Sequence, residues 1–184
     1  MSIFTNNMAK KKIALIAIGC DYIGTRYSLG GCINDAIDFS NTIVNLGEKE
    51  GLDITLKLFL DNKSSFYPSK NNIINTLRNL INQINNGIYN SLIFYFAGHG
   101  IQYKDRQSDE KDGNDESILA ADGRAILDDE LFLIISRLRR NKQASFVFDC
   151  CHSGSMLDLP KVPIGGGKSH SGRMGIQGSV ACFS

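Results

Sequence analysis

Four short apolar runs stand out along the chain, and each has the length of a β-strand. They are Ile13–Gly19, Ile54–Leu60, Leu92–Ala97 and Ala144–Asp149. The first, third and fourth are hydrophobic at nearly every position rather than at alternate ones, which is typical of strands covered on both faces. The pattern therefore predicts a mostly parallel central sheet buried between two outer layers.

Helical patterns separate these strands. One covers Asn34–Leu46, with Gly47 as its predicted stop, and a second covers Lys70–Asn85, with Ser69 as its predicted N-cap. A third covers Asp128–Arg139, where acidic residues open the first turn and arginines follow near the end, as the helix dipole favours. Strands that alternate with helices predict an α/β sandwich of three layers, with helices on both faces of the sheet.

The rest of the chain divides into a tail, a loop, a linker and a last strand. Gln102–Glu116 is dense in charged residues and predicts a long solvated loop. Lys161–Gly178 is rich in glycine and predicts a flexible linker, and Ser179–Phe183 predicts a fifth strand. We therefore expect a tail over residues 1–12, one domain over 13–160, a linker over 161–178 and a further strand over 179–184.

Charge is balanced along the chain as a whole. The 20 Lys and Arg against 19 Asp and Glu give a formal net charge of +1. No global field therefore attracts the chain to nucleic acid or to an anionic membrane, and we expect neither as a partner. The apolar run after Lys10–Lys12 superficially suggests a signal peptide, but it is short and ends at Asp21. No run reaches the roughly 18 apolar residues of a membrane span.

The cysteines bear on the cellular setting. They are odd in number and lack CxxC spacing, which argues against a disulfide framework and against a zinc ribbon. We therefore expect a reducing, cytoplasmic environment. The five are Cys20, Cys32, Cys150, Cys151 and Cys182.

Two of the predicted strands end in residues suited to nucleophilic catalysis. Gly98, His99 and Gly100 follow one strand, and a pair of thiols, Cys150 and Cys151, follows another. In open α/β sheets reactive groups gather at the carboxyl ends of strands, where an imidazole can take the proton of a thiol. The 52 positions between His99 and Cys151 are close to the His-before-Cys interval of caspase-type proteases. This pattern alone does not choose between the two adjacent thiols.

Three ordered blocks of this sequence resemble those of metacaspases, a family of caspase-like cysteine peptidases. Leu29–Ala36 (LGGCINDA) resembles the N-terminal specificity block, Phe96–Gly100 (FAGHG) the catalytic-histidine block, and Asp149–Gly154 (DCCHSG) the catalytic-cysteine block. The resemblance covers about Ile13–Pro160. It implies a caspase-like three-layer sandwich that corresponds to the large-subunit-like region. Part of the C-terminal small-subunit-like region is then expected to be lacking.

The resemblance also implies catalytic roles. His99 occupies the position of the general base, and Cys151 that of the nucleophile. The backbone N–H groups of Gly100 and Cys151 would then form the oxyanion hole. Cys150 stands where the family usually has serine, and we interpret it as structural.

The family's basic specificity pocket falls on four positions. Asp35 and Asp149 match its acidic residues, and a buried pair of carboxylates would bind the side chain of arginine or lysine. Cys32 matches the pocket wall. Ala97 stands where the family usually has serine, which leaves the preference between arginine and lysine open. The alternative role for Asp35 is that of a helix first-turn carboxylate.

Further aspartates match the calcium-site positions of calcium-dependent metacaspases, which implies Ca²⁺ as an activator. Oxygen ligands from several loops suit this ion, and helix capping is the alternative role of such residues. The positions are Asp115, Asp128, Asp129 and Asp158.

The glycine-rich linker offers candidate sites of self-cleavage for a protease with basic specificity. They are Lys161, Lys168 and Arg173. The run Gly165–Ser169 looks like a phosphate-binding loop, but the motif's first glycine would fall at Val162, and no strand precedes it.

The leading hypothesis is a cysteine endopeptidase that cleaves after Arg or Lys in protein or peptide substrates through a Cys–His dyad and is activated by Ca²⁺. The alternative is a catalytically inactive or incomplete caspase-like regulatory or binding module. A legumain-like or gingipain-like peptidase is a third, less favoured hypothesis, because the block around Cys32 and Asp35 argues against it. We expect a monomer, with association with a small-subunit-like chain as the other outcome.

Overall fold

A computed structural model describes residues 9–62, 66–104, 114–150 and 177–183, with the backbone alone for 102–104, 114–116 and 177–183. Within these ranges the chain forms strands and helices in alternation. The helices are α1 (Cys32–Lys49), α2 (Lys70–Asn85) and α3 (Asp128–Ile135). The strands are β1 (Lys12–Gly19), β2 (Asp53–Leu60), β3 (Ser91–Ala97), β4 (Gly100–Lys104), β5 (Asn114–Leu119), β6 (Ala125–Leu127), β7 (Gln143–Asp149) and β8 (Gln177–Phe183).

The central sheet has five strands in the order β2-β1-β3-β7-β8, and every neighbouring pair is parallel. The prediction of a mostly parallel sheet is therefore confirmed. Helix α1 covers one face, where Ala17, Ala36, Tyr95 and Ala97 form a small cluster. Helices α2 and α3 cover the other face over a larger core that includes stacked phenylalanines from β3 and β7. This arrangement is the three-layer α/β sandwich expected from the sequence.

A second, antiparallel sheet of β4, β5 and β6 lies where the sequence predicted a loop. The predicted loop over Gln102–Glu116 is wrong at both ends. Residues 102–104 belong to β4, residues 114–116 belong to β5, and the two strands pair with each other. Residues 105–113 lie outside the described part of the chain. Cross-strand backbone pairing has stabilised residues whose polar composition alone favours a loop.

Three of the helix ends differ from those predicted. Helix α1 begins at Cys32, two residues before the predicted Asn34. Gly47 does not stop α1, because the helix continues to Lys49 and the chain turns at Gly51, which has a φ of +69°. Gly47 instead allows α1 to pack closely on β2, since a Cβ at this position would overlap the side chain of Ile54. A glycine within a helical pattern can therefore serve packing rather than termination.

Helix α3 ends at Ile135, short of the predicted Arg139. Arg139 stabilises the end of α2 instead. Its backbone N–H donates to Asn85 Oδ1 at 2.9 Å, and its guanidinium donates to the Asn85 carbonyl oxygen at 3.0 Å. The predicted bounds of α2 are confirmed, and Ser69 Oγ accepts a hydrogen bond from the backbone N–H of Asn72, as an N-cap does.

No helix in the described part of the chain is long and apolar enough to cross a membrane.

The start of α1 lies directly against the end of β1 at Gly19. A Cβ at this position would lie 2.5 Å from the carbonyl oxygen of Cys32 and 2.8 Å from Cα of Ile33. These are backbone atoms, which cannot move without moving the helix. The glycine at the end of β1 therefore sets how closely the N-terminal turn of α1 approaches the sheet.

We predict that Gly19→Ala lowers the free energy of unfolding by about 1–3 kcal/mol, because overpacking forces α1 away from β1. The measurement is urea-induced unfolding followed by circular dichroism. Gly30→Ala is the matched control, since a Cβ at Gly30 has no atom within 4 Å. Equal stability of the two variants would contradict the close packing described here.

Candidate active site

The carboxyl ends of β1, β3 and β7 meet at one edge of the sheet. In the register of β3 and β7, Ala97 pairs with Asp149, and the N–H of Gly98 donates to the Asp149 carbonyl oxygen at 3.3 Å. His99 follows Ala97 by two positions, as Cys151 follows Asp149. The two strands that carry the candidate dyad are therefore neighbours. Cys151 itself lies outside the described residues, as do His152 and the rest of the DCCHSG block beyond Cys150.

His99 is half-buried and its imidazole is oriented by a backbone group. Its Nε2 lies 2.7 Å from the carbonyl oxygen of Tyr27. A carbonyl oxygen can only accept, so Nε2 carries the hydrogen of the neutral ring, and Nδ1 keeps its lone pair. This tautomer leaves Nδ1 as the nitrogen that can take a proton.

The backbone of His99 is also fixed. Its N–H donates to the hydroxyl of Tyr22 at 2.9 Å, and its carbonyl oxygen accepts from the N–H of Leu119 at 3.0 Å. The rings of Tyr22 and His99 are in contact, with centroids 4.8 Å apart. Sequence analysis missed Tyr22 and Tyr27, because both lie in the irregular turn after β1, where neither periodicity nor a motif singles them out.

A cluster of acidic residues, which we call the acidic pocket, lies at the same edge of the sheet, on the face that α1 covers. Asp35 comes from the first turn of α1, and Asp149 is the last residue of β7. The hydroxyl of Tyr95 donates to Asp149 Oδ2 at 3.0 Å, and the N–H of Cys32 donates to Asp21 Oδ1 at 2.9 Å. Asp21 and Tyr95 belong to this pocket by contact, although sequence analysis did not name them.

The pocket is more open than the sequence suggested. We expected a buried pair of carboxylates, but Asp35 is exposed and Asp149 only partly buried, because the first turn of α1 faces solvent at the sheet edge. Ala97, by contrast, is buried, with 1% of its surface exposed. Its methyl group packs in the cluster on the α1 face of the sheet. Tyr95, two residues earlier on β3, belongs to the same cluster.

Like charges dominate the electrostatics of the pocket. Burial, followed by the nearby charges of Asp149, Asp38 and Asp21, raises the pKa of Asp35. Burial, followed by the charges of Asp21 and Asp35, raises the pKa of Cys32 from its ordinary 9.0 to about 12. The pocket therefore favours a cation and holds the Cys32 thiol in its neutral, unreactive form.

A separate cavity of about 670 Å³ has His99 in its wall. None of the acidic-pocket residues lines it. Its walls come from the turn after β1, the start of β4 and the connection between β5 and β6, and they include Tyr22, Arg26, Tyr27, Ile101 and Asp122. His99 thus lies at the sheet edge that carries the acidic pocket and also lines a separate, mixed cavity.

The other thiols differ in their surroundings. Cys20 is fully buried, and burial, followed by the charge of Asp61, raises its pKa. Cys150 is buried, with 6% of its surface exposed. None of the three cysteines with described side chains forms a disulfide. Burial makes Cys20 and Cys150 poor candidates for attack on a peptide.

The candidate calcium residues are only partly described. Asp128 is buried at the start of α3, where its Oδ1 accepts from the N–H of Asp129 at 2.9 Å. Asp115 lies on β5, two residues before Ser117, which pairs with Leu127. Its backbone is therefore at the end of the β5–β6 pair that adjoins α3. The side chain of Asp115 and all of Asp158 lie outside the described part, within which no three acidic, Cys or His side chains form a metal cluster.

The fold and this site define a class: an α/β sandwich whose reactive groups lie at the carboxyl ends of parallel strands. The family model of the metacaspase, peptidase C14 domain matches residues 11–160. The chain therefore belongs to the metacaspase family, which is a family of cysteine peptidases.

Individual relatives agree with this assignment. Metacaspase-1 of Yarrowia lipolytica is 36% identical over 163 residues, covering 86% of this chain and 34% of the relative. Metacaspase-2 of Trypanosoma brucei brucei is 35% identical over 173 residues, covering 88% of this chain and 48% of the relative. This chain thus spans between a third and a half of their lengths.

A solved structure shows the same fold. The crystal structure of a Geobacter sulfurreducens protein superposes with a TM-score of 0.59 at 22% identity and covers 78% of this chain and 51% of that one.

We predict that Asp35→Asn raises the alkylation rate of Cys32 at pH 8.5. Removal of one nearby negative charge lowers the pKa of the thiol, and each unit of pKa changes the thiolate fraction about tenfold. The measurement is iodoacetamide labelling followed by mass spectrometry of the Cys32 peptide. Asp38→Asn is the control, because Asp38 lies one helical turn further along α1 and is not among the charges acting on Cys32. An unchanged rate in Asp35→Asn would contradict the charge coupling.

Proposed function

We propose that this protein is a cysteine endopeptidase that cleaves peptide bonds after arginine or lysine, with His99 as general base and Cys151 as nucleophile. The observation that carries the proposal is the position of His99. It lies just after β3, beside the strand that leads into Cys151, with Nε2 held by the Tyr27 carbonyl, and the acidic pocket lies at the same edge of the sheet.

In the proposed reaction, Nδ1 of His99 takes the proton of the Cys151 thiol, and the thiolate attacks the carbonyl carbon of the substrate. The backbone N–H groups of Gly100 and Cys151 stabilise the oxyanion. The imidazolium then gives its proton to the leaving amine as the C–N bond breaks. Water, deprotonated by the same imidazole, hydrolyses the thioester and regenerates the thiol.

Specificity would come from the acidic pocket. An arginine or lysine side chain bound there relieves the mutual repulsion of Asp35, Asp149 and Asp21, whereas an acidic side chain would add to it. The cavity that His99 lines would receive the residues that follow the cleaved bond. The same specificity makes Lys161, Lys168 and Arg173 candidates for self-cleavage, and all three lie outside the described residues.

We predict that an Arg-terminated peptide amide reporter is hydrolysed and that Cys151→Ala abolishes turnover. Asp35→Asn should raise KM for this reporter about tenfold with a smaller effect on kcat, because the pocket loses one charge-assisted contact, worth about 1.5–3 kcal/mol at most. Glu48→Gln, on the same helix but not among the charges that raise the pKa of Asp35, should leave KM unchanged.

The rival hypothesis, an inactive regulatory or binding module, predicts a different result. In that case the protein would be a monomer that neither turns over the reporter nor reacts at Cys151 with an electrophile carrying a basic side chain. Labelling of Cys151 that appears only when a small-subunit-like chain is added would support association with such a chain.

Calcium is part of the proposal as an activator. The chemistry of the candidate residues suits this ion, because carboxylates offer only oxygen ligands; the residues are Asp115, Asp128, Asp129 and Asp158. The pairing of β5 with β6 supports the proposal, since it puts the backbone of Asp115 near the start of α3. Bound there, the ion would neutralise these carboxylates and tie β5 to α3.

We predict that millimolar Ca²⁺ increases reporter turnover and that Asp129→Asn weakens this activation. Asp129 is exposed, so its substitution should leave unfolding by urea unchanged. Glu48→Gln, an exposed carboxylate far along α1, is the matched control. Full activity in a calcium chelator, or the same calcium dependence in Asp129→Asn as in the control, would contradict this part of the proposal.

A further inference from the structure

The hydroxyl of Tyr22 joins the backbone of His99 to the end of β5. It accepts a hydrogen bond from the His99 N–H at 2.9 Å and donates one to the carbonyl oxygen of Leu119 at 2.7 Å. A phenol has one O–H and can also accept, so the two bonds use both capacities without conflict. Because the N–H of Leu119 in turn donates to the His99 carbonyl oxygen, both backbone polar groups of His99 are fixed.

The ring of Tyr22 also restricts the orientation of the His99 imidazole. The two ring centroids are 4.8 Å apart with planes inclined at 32°. One face of the imidazole is therefore covered by Tyr22, while its Nε2 edge is held by the Tyr27 carbonyl. With one face and one edge occupied, rotation of the imidazole away from β7 is restricted.

The backbone at Tyr22 is strained to reach this position. Its φ is +50°, in the left-handed region that bulky residues rarely adopt. Surrounding bonds hold it there. The N–H of Tyr22 donates to Asp61 Oδ2 at 2.5 Å, and its carbonyl oxygen accepts from the hydroxyl of Thr25 at 2.8 Å. Strain kept in place by several bonds is typical of residues that position functional groups.

Gly98 makes room for the phenol. A Cβ at this position would lie 2.7 Å from the hydroxyl oxygen of Tyr22. The same Cβ would lie 2.8 Å from the ring of Phe96, so close packing of both side chains requires a glycine before the candidate base.

We propose that Tyr22 is a positioning residue for His99, and that its hydroxyl and ring set the direction in which Nδ1 faces the nucleophile. This inference rests on the proposed role of His99 as general base. Tyr22 also contributes to the wall of the cavity at His99, but with 3% of its surface exposed it offers little contact to a substrate. In this proposal it acts through the backbone and the ring of His99.

The test is Tyr22→Phe, which keeps the ring but leaves the His99 N–H and the Leu119 carbonyl without their partner. We expect kcat for the Arg-terminated reporter to fall about tenfold or more with KM changed less than twofold, because misplacement of a catalytic group lowers kcat steeply. Tyr67→Phe is the matched control, since its hydroxyl also donates to a backbone carbonyl oxygen, that of Ala121 at 3.0 Å, in a partly buried hydrogen bond away from His99.

A spectroscopic measurement separates this inference from the proposed function. The ¹⁵N shifts of the His99 ring in Cys151→Ala protein report which nitrogen carries the hydrogen, whether or not the enzyme is active. The chain has 3 histidines, and a His99→Gln sample assigns the signal. We expect a dominant Nε2–H form with Tyr22 and with Tyr67→Phe, and a mixture of tautomers in Tyr22→Phe.

The outcomes are distinct. An inactive parent protein would contradict the proposed function, while the ring shifts would still decide the role of Tyr22. If Tyr22→Phe and Tyr67→Phe show the same kcat and the same ring shifts, the positioning role is wrong. If Tyr22→Phe loses only stability to urea, with kcat and ring shifts unchanged, Tyr22 is a core residue and no more.

Discussion

The position of His99 and that of the acidic pocket both depend on the parallel, in-register pairing of β3 with β1 and β7. Because Gly19, Ala97 and Asp149 end their strands at the same level, the residues that follow them emerge at one edge of the sheet. Gly19 adds a second constraint, since its lack of a side chain lets the start of α1 approach that edge. The pocket carboxylates and the imidazole come from segments far apart in sequence, and the sheet register brings them together.

Placing carboxylates close together in the acidic pocket costs folding free energy, but it also makes the pocket favour a cation. Burial, followed by the charges of Asp149, Asp38 and Asp21, raises the pKa of Asp35, and these carboxylates repel one another until a cation binds. Burial, followed by the charges of Asp21 and Asp35, also raises the pKa of Cys32 to about 12, so this half-buried thiol does not compete as a nucleophile. The pocket can therefore bind a cation while the Cys32 thiol within it stays neutral and unreactive.

Much of the fold could be predicted from the sequence, because buried parallel strands and the amphipathic α2 carry strong hydrophobic patterns. The strands β4 and β5 could not, since residues 102–104 and 114–116 are polar in composition and are defined as strands by pairing with each other. Gly47 misled the prediction because a glycine that serves close packing looks the same in sequence as one that ends a helix. His99 and Asp149 are visible as strand-end residues, whereas Tyr22 acts through backbone contacts that no spacing encodes.

The turn between β1 and α1 contacts both the acidic pocket and His99. It is closed by a hydrogen bond from the Leu29 N–H to the Asp21 carbonyl oxygen at 2.7 Å. At its start, the Asp21 side chain holds the N–H of Cys32 at the pocket. Further along, Tyr22 and the carbonyl of Tyr27 hold the imidazole of His99. The same turn therefore supplies contacts both to the acidic pocket, through Asp21, and to the candidate base, through Tyr22 and Tyr27.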